Sequence, residues 1–222
     1  MKWIIMCGGT YQLWETPKQL MKINGEAIVA RTIRLLKEQG ADDINISSGN
    51  PAFESFGVPV LKHENNFTVK GEDGKVTGCD GWWVDAFYPT DEPTTYLFGD
   101  VVYSPEAIRK IMDTETNDIE FFASAPPYSE SYIKPWQEPF AFKVVDTDHL
   151  KRAIEDCKWN AALGLFWRHP IAWELWTSIK YGRMQKKRNV YKQNYTVIND
   201  YTCDVDTEDD IPKIERALNG EA

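Results

Sequence analysis

A short apolar run, Trp3 to Met6, strikes a glycine pair, Gly8 and Gly9, and a Pro17–Lys18 pair comes eight residues later. An apolar run of that length stopped by glycines reads as a buried strand entering a tight turn. Glycines in such a turn let backbone N–H groups close around an anion. A lysine just beyond the turn reaches the same anion as a point charge. The simplest ligand for that arrangement is a nucleoside triphosphate. The plainer alternative is a tight βα turn with a lysine in solvent.

The next segments extend the pattern. Glu26 to Gln39 carries Ile28, Val29, Thr32, Ile33 and Leu36 as a helical stripe, with Gly40 where a C-cap belongs, and Ile44 to Ser47 reads as a second strand. Strand, glycine turn, helix and strand make a βαβ unit, so a parallel sheet is expected. Further strands are expected at Val58–Leu61, Thr94–Phe98, Ile119–Ala123, Phe140–Val145 and Leu163–Trp167. Tyr201 to Val205 also looks extended. Ser104–Pro105–Glu106 opens a helix with serine as N-cap. Thr147–Cys157 and Ile171–Ile179 read as helices, Trp82–Phe87 as a short one, and Thr207 as the cap of a last helix bearing Ile211, Ile214 and Leu218. Residues 64–78 read as a long polar loop, either a lid or a nucleotide-facing segment, and the basic run from Lys180 to Lys192 as a solvated helix face. No Pro- or Ser-rich linker divides the chain, so residues 1–222 are expected to form one α/β domain.

A net charge of −9 argues against a nucleic-acid-binding surface. It leaves nucleotide binding open, because a metal ion mediates between carboxylates and phosphates. Four cysteines stand far apart without a CxxC pair, which points to reduced thiols rather than zinc ligation or a disulfide framework. The chain opens on a strand rather than a signal peptide, and no apolar stretch approaches the ~20 residues of a membrane span. A cytoplasmic protein without membrane insertion is expected.

Three places carry chemistry. The first is the glycine turn with Lys18. The second is Gly99–Asp100, where a carboxylate at the C-terminal end of a sheet strand would face the ligand crevice of an open α/β sheet. The third is Asp204 and Asp206, which alternation sets on one face of an extended segment. Two carboxylates so close repel unless a cation lies near; alternatively, Asp206 and Asp209 simply favour the N-terminus of the last helix. Taken together, Asp100, Asp204 and Asp206 suit Mg²⁺, with waters and substrate phosphates completing the shell. Lys18 would neutralise charge building on the phosphates during attack at the α-phosphorus. An acceptor that is already a phosphate needs no general base. His63, His149 and His169 sit in unrelated segments and suggest neither a base nor zinc.

At this point the chain resembles the sugar-nucleotide, cytidylyl and guanylyl nucleotidyltransferases built on a GT-A-like Rossmann domain. Their opening pattern, an apolar strand, Ala-Ala-Gly-x-Gly-Ser-Arg-Leu and then Pro-Lys-x-Leu, is met here by Met6–Leu13 and by Pro17-Lys18-Gln19-Leu20. The family's Gly-Asp metal ligand is matched by Gly99-Asp100, and its late Asp-x-Asp-Thr-x-x-Asp by Asp204 to Asp210. The resemblance implies a three-layer α/β/α fold with a mixed, mostly parallel sheet. It implies Mg²⁺-dependent NMP transfer, with Lys18, Asp100 and Asp206 catalytic and Asp100, Asp204 and Asp206 on the metal. Cys7, Gly8, Gly9, Thr10, Gln12, Lys18, Gly78, Asp80 and Gly99 would line the nucleotide. The family's second loop glycine falls on Thr10 and its phosphate-binding arginine on Gln12, a neutral amide without charge-assisted bonds. Arg168 and the basic 183–192 segment are candidate substitutes.

Short members acting on phosphorylated alcohols favour CTP, with polysaccharide or lipid-headgroup biosynthesis as the setting. Trp82, Trp83, Trp136, Trp167, Trp173 and Trp176 either cage a cationic acceptor or pack the core. Trp82, Trp83, Trp136 and Arg168 are the acceptor-binding candidates. The partners are thus a nucleoside triphosphate and a phosphorylated small molecule, and a homo-oligomer is compatible with them. Two other functions compete: a GT-A glycosyltransferase consuming an NDP-sugar, and a nucleotide-binding homologue without catalysis.

Overall fold

A computed structural model describes residues 1–8, 16–63, 69–70, 76–78, 82–125 and 136–220. Its centre is a seven-stranded sheet. The strands are β1 (Lys2–Met6), β4 (Ile44–Ser47), β5 (Val60–Leu61), β8 (Thr94–Phe98), β10 (Ile119–Ser124), β11 (Pro139–Val144) and β12 (Thr196–Ile198). They lie in the order β12-β10-β11-β8-β1-β4-β5. β11 pairs antiparallel with both its neighbours, and every other pairing is parallel. The sheet is therefore mixed and mostly parallel, as expected.

Alternation along β11 assigns the layers. Phe142 meets Phe121 and Trp176, and Trp176 belongs to α4 (Ala172–Tyr181). Its neighbour Lys143 points to the other face, where its Nζ donates to the carbonyls of Ile111, Met112 and Thr114 at the end of α2 (Pro105–Asp113). α3 (Thr147–Ala162) packs on α4, and α1 (Ile28–Glu38) on α2. Helices thus cover both faces of the sheet, in three layers.

Local chemistry sets the element ends. Ser104 caps α2 by accepting the Ala107 N–H at 2.8 Å. Asn24 and Gly25, at φ 48° and 80°, make the tight turn between β2 (Lys22–Ile23) and β3 (Glu26–Ala27), the left-handed pair that an Asn-Gly hairpin turn uses. Leu163–Trp167 is not a strand. α3 runs on to Ala162, and Gly164 at φ 65° donates to the Ala161 carbonyl while Leu165 donates to that of Asn160. That pair of bonds is a Schellman stop, so the apolar run after it closes a helix end. The basic run is not a helix face either: α4 ends at Tyr181, Gly182 at φ 58° turns the chain, and beyond it there is only a 3-10 turn at Val190–Lys192. Trp82–Phe87 reduces to a 3-10 turn at Trp83–Ala86. Within 64–78, β6 (Val69–Lys70) and β7 (Val76–Gly78) form an antiparallel ladder.

A second, smaller assembly sits beside the main sheet. β9 (Val101–Val102) pairs antiparallel with β13 (Cys203–Asp204), so the extended segment expected over 201–205 contracts to two residues. Ile23, Ile28, Val102, Cys203, Val205 and Ile214 form its core, with Ile214 on α5 (Asp210–Leu218). Burying side chains of this size contributes roughly 1.5–3 kcal/mol each, enough to hold the 203–218 segment against the hairpin. Cys7 and Cys157 are buried thiols outside any disulfide. No described helix is long and apolar enough to cross a membrane.

Candidate functional site

β1 and β8 are neighbours, and both end at the same sheet edge. There the chain leaves β8 at Gly99, whose N–H donates to the Met6 carbonyl at 3.0 Å. A Cβ on residue 99 would lie 2.5 Å from that carbonyl oxygen and 2.8 Å from the Cys7 sulfur. Only glycine fits this close approach of two backbones. Asp100 consequently leaves the strand end close to Cys7.

The Asp100 carbonyl accepts the Val205 N–H at 3.0 Å, which draws the late segment to the same edge. Ser104 donates to Asp200 at 2.6 Å, and its N–H bonds the Thr202 hydroxyl at 3.0 Å, so residues 200–202 are tied to the start of α2. The Asp210 carboxylate accepts the N–H groups of Asp206 and Thr207 at 3.0 and 2.9 Å. Asp210, rather than Thr207, therefore organises the entry to α5 and fixes the backbone of Asp206.

Lys18 closes the arrangement. Pro17 holds the preceding φ at −52°, and the Leu20 and Met21 N–H groups bond back to Pro17 and Lys18 in a 3-10 turn. This turn buries Lys18 to 8% exposure and places its Nζ 3.1 Å from Asp206 Oδ1 and 3.8 Å from Asp100 Oδ2. Burial opposes its charge, but the carboxylates of Asp100, Asp206 and Asp204 prevail and hold its pKa above the ordinary lysine value. Lys18, Asp100, Asp204 and Asp206, from distant parts of the sequence, thus meet in one place.

The acidic cluster has a further member that the sequence pattern does not reveal. Glu138, Asp204 and Asp206 each offer an oxygen within 4.8 Å of the others. Glu138 lies just before β11, its N–H bonding the Ser124 hydroxyl at 2.7 Å and its carbonyl accepting the Ser124 N–H at 2.9 Å. The antiparallel return of β11 brings it to the edge where the parallel strands end. Its signal, a lone glutamate in a Trp-Gln-Glu-Pro stretch, is visible only once the strand order is known. The donors are all hard carboxylate oxygens, the set that suits Mg²⁺. Asp100 meets this group through Lys18. No histidine joins the cluster among the described residues.

The remaining candidates divide. Cys7 is buried at the end of β1, its N–H bonding Ser47 and its carbonyl accepting the Ser48 hydroxyl. Gly8 is next in the chain, and Gly9, Thr10 and Gln12 lie outside the described residues, as does Asp80; Gly78 ends β7. Trp83 stands edge-on to Phe98, two residues before Asp100, and Trp82 stacks on His169 at 5.3 Å. Trp136 is 55% exposed, two residues from Glu138. Trp173 and Trp176 do not line a cage: both are buried against Phe121 in the core. Arg168 directs its Nε to Glu174 at 3.0 Å and its guanidinium toward Tyr191.

No family model matches the sequence, and no curated protein registers as a sequence relative. Similar solved structures exist. A 4-diphosphocytidyl-2C-methyl-D-erythritol synthase from Anaerococcus prevotii is 11% identical with a TM-score of 0.57, over 98% of this chain and 97% of that one. The inositol-1-phosphate CTP transferase of T. maritima is 13% identical with a TM-score of 0.53, over 100% and 97%. A Bacillus anthracis protein assigned as a glucose-1-phosphate thymidylyltransferase is 15% identical with a TM-score of 0.52, over 100% and 96%. This chain shares the fold of these proteins along essentially its whole length.

Proposed function

We propose that this chain is a Mg²⁺-dependent nucleotidyltransferase that moves a nucleoside monophosphate, CMP from CTP in the favoured version, onto a phosphorylated small molecule. The observation that carries the reading is the convergence of Lys18 with Asp100 and Asp206 at the C-terminal edge of the sheet. Open α/β sheets bind ligands at that edge. The fold supports the reading, and two of the similar structures are named for cytidylyl transfer.

In this reading the β1 turn, from Cys7 through Gly8, Gly9, Thr10 and Gln12, cradles the triphosphate, with Gly78, Asp80 and Gly99 toward the nucleoside. Glu138, Asp204 and Asp206 would hold Mg²⁺, with Asp100 beside them across Lys18. Bound there, Mg²⁺ supplies Lewis-acid charge neutralisation at the phosphates. Lys18 exchanges its carboxylate contacts for phosphate oxygens and stabilises charge on them. An ionised oxygen of the acceptor phosphate forms the new bond to the α-phosphorus, the bond from that phosphorus to the bridging oxygen breaks, and pyrophosphate leaves. No proton has to be removed from such an acceptor, which agrees with a site built from carboxylates and one lysine. Trp82, Trp83, Trp136 and Arg168 are the acceptor-side candidates, and Trp83 stands edge-on to Phe98 at the end of the strand that leads to Asp100. A soluble nucleotide pool is what such a reaction draws on, which supports a cytoplasmic setting.

The test is pyrophosphate release from each of four nucleoside triphosphates, with phosphocholine, phosphoethanolamine, glycerol phosphate and sugar 1-phosphates as acceptors. Acceptor-dependent release with CTP is expected. Triphosphate binding by calorimetry without release from any pair would overturn catalysis and leave a nucleotide-binding homologue, the reading that Gln12 motivates.

A further inference from the structure

The basic run after α4 builds a pocket. Gly182 turns the chain out of the helix, and the fully buried Asn160 of α3 clamps the residues on either side of that turn. Its Nδ2 donates to the Ser178 hydroxyl at 3.1 Å and the Gly182 carbonyl at 2.9 Å, and its Oδ1 accepts the Met184 N–H at 2.8 Å. So anchored, the segment shapes a half-open pocket of about 370 Å³ lined by Tyr181, Arg183, Met184, Gln185, Lys186 and Arg188.

Three of these six side chains are cations, and none is an acid. Arg183 shares its charge with Asp156, Nε to Oδ1 at 3.0 Å. Arg188 lies with its guanidinium carbon 3.8 Å from the centre of the Tyr181 ring, and its buried Nε has no hydrogen-bond partner among the described residues. Stacking on a ring fixes the plane of a guanidinium and leaves its edge to bond in that plane. The guanidinium's outer N–H groups are thereby presented for charge-assisted bonds to an anionic ligand. Three cations less the Asp156 carboxylate leave a local charge of +2 in a chain whose net charge is −9. A phosphate monoester, at about −1.5 to −2 near neutral pH, matches that charge. Tyr181 and Met184 offer an apolar wall for the organic part of such a molecule, and the volume falls in the range of small-molecule sites.

We propose that this pocket is a second phosphate site, binding a phosphate monoester dianion independently of Lys18 and of the acidic cluster. The proposed mechanism runs through Lys18 and the acidic cluster and uses none of these lining residues, although 183–192 is a candidate substitute for the family's arginine, so failure of this pocket would leave that mechanism standing. The ester is either a free metabolite or a lipid headgroup, since both present the same dianion.

Calorimetry with glycerol 3-phosphate on the full chain tests the proposal, in wild type, Lys18→Gln and Lys186→Gln/Arg188→Gln. Binding is expected to persist within about twofold in Lys18→Gln and to weaken at least about tenfold in the double variant, the scale of losing charge-assisted bonds. Arg188→Lys, which keeps the charge without the planar fork, is expected to fall between, and unchanged thermal melting certifies each fold. Co-sedimentation with phosphatidylcholine vesicles, with and without phosphatidic acid, assigns the source: capture only with phosphatidic acid, lost in the double variant, indicates a headgroup. Binding in neither assay, or affinity that tracks Lys18 and ignores Lys186 and Arg188, overturns the site.

Discussion

Lys18 Nζ lies 3.1 Å from Asp206 Oδ1, a contact that spans 188 positions of the chain. Lysine is here the counter-ion of a carboxylate group that would otherwise repel itself. Lys18→Ala removes that cation together with the proposed phosphate ligand. The expected result is a fall of at least about a hundredfold in the rate of pyrophosphate release, on the scale of losing a preorganised charge from a reacting centre. Turnover within a few-fold of wild type would remove Lys18 from the mechanism.

The same contact predicts a pH profile. Burial disfavours the Lys18 charge, yet Asp100, Asp206 and Asp204 raise its pKa above 10.5. A base with a raised folded pKa contributes stability that is complete below its unfolded value and is lost as pH climbs through the folded one. The stability difference between wild type and Lys18→Met should therefore stay level from roughly pH 6 to 9 and narrow only above about 10.5. Urea unfolding across that range measures it, and narrowing near neutrality would contradict the pairing.

Gly99→Ala should be poorly tolerated although only a methyl is added. The new Cβ meets a backbone carbonyl at 2.5 Å, and two strands have to part to admit it. A loss of about 2–3 kcal/mol is expected, typical of overpacking where the neighbours cannot yield, read as a lowered denaturation midpoint.

Glu138→Gln separates metal binding from fold. The glutamate's backbone bonds to Ser124 survive the change, and one carboxylate of the cluster becomes a neutral amide, a weaker ligand for a hard cation. Titration with Mn²⁺ followed by electron paramagnetic resonance should show affinity reduced at least about tenfold, with the melting temperature nearly unmoved. Equal affinity would exclude Glu138 from the metal shell.

Asp210→Ala acts at one remove. It leaves the Asp206 and Thr207 N–H groups without their carboxylate. A cap of this kind is worth about 1 kcal/mol, and the loosened Asp206 should also weaken Mn²⁺ binding. Restoration of both by Asp210→Asn, which keeps an acceptor oxygen, would distinguish positioning from charge.

Much of this site was legible because its pieces have local signatures. Glycines end β1, Gly99-Asp100 ends β8, and Asp204 and Asp206 stand two apart. Glu138 had no such mark: its place comes from the one antiparallel strand of the sheet, a long-range fact. The apolar run at Leu163–Trp167 misled because Gly164 in the left-handed region makes it a helix stop. The basic run misled for the same reason at Gly182, where a backbone turn converts an expected helical face into a lined pocket. Trp173 and Trp176 are aromatic core rather than cage, a choice that only packing decides.

The β9–β13 ladder also bears on how the protein is made. A chain emerging from the ribosome carries Lys18 and Asp100 long before Asp204 and Asp206 have been synthesised. Until β13 has been synthesised the lysine has only part of its eventual acidic company. The centre is therefore completed only once β13 has paired with β9, and a nascent chain halted short of β13 would carry Lys18 and Asp100 without Asp204 and Asp206.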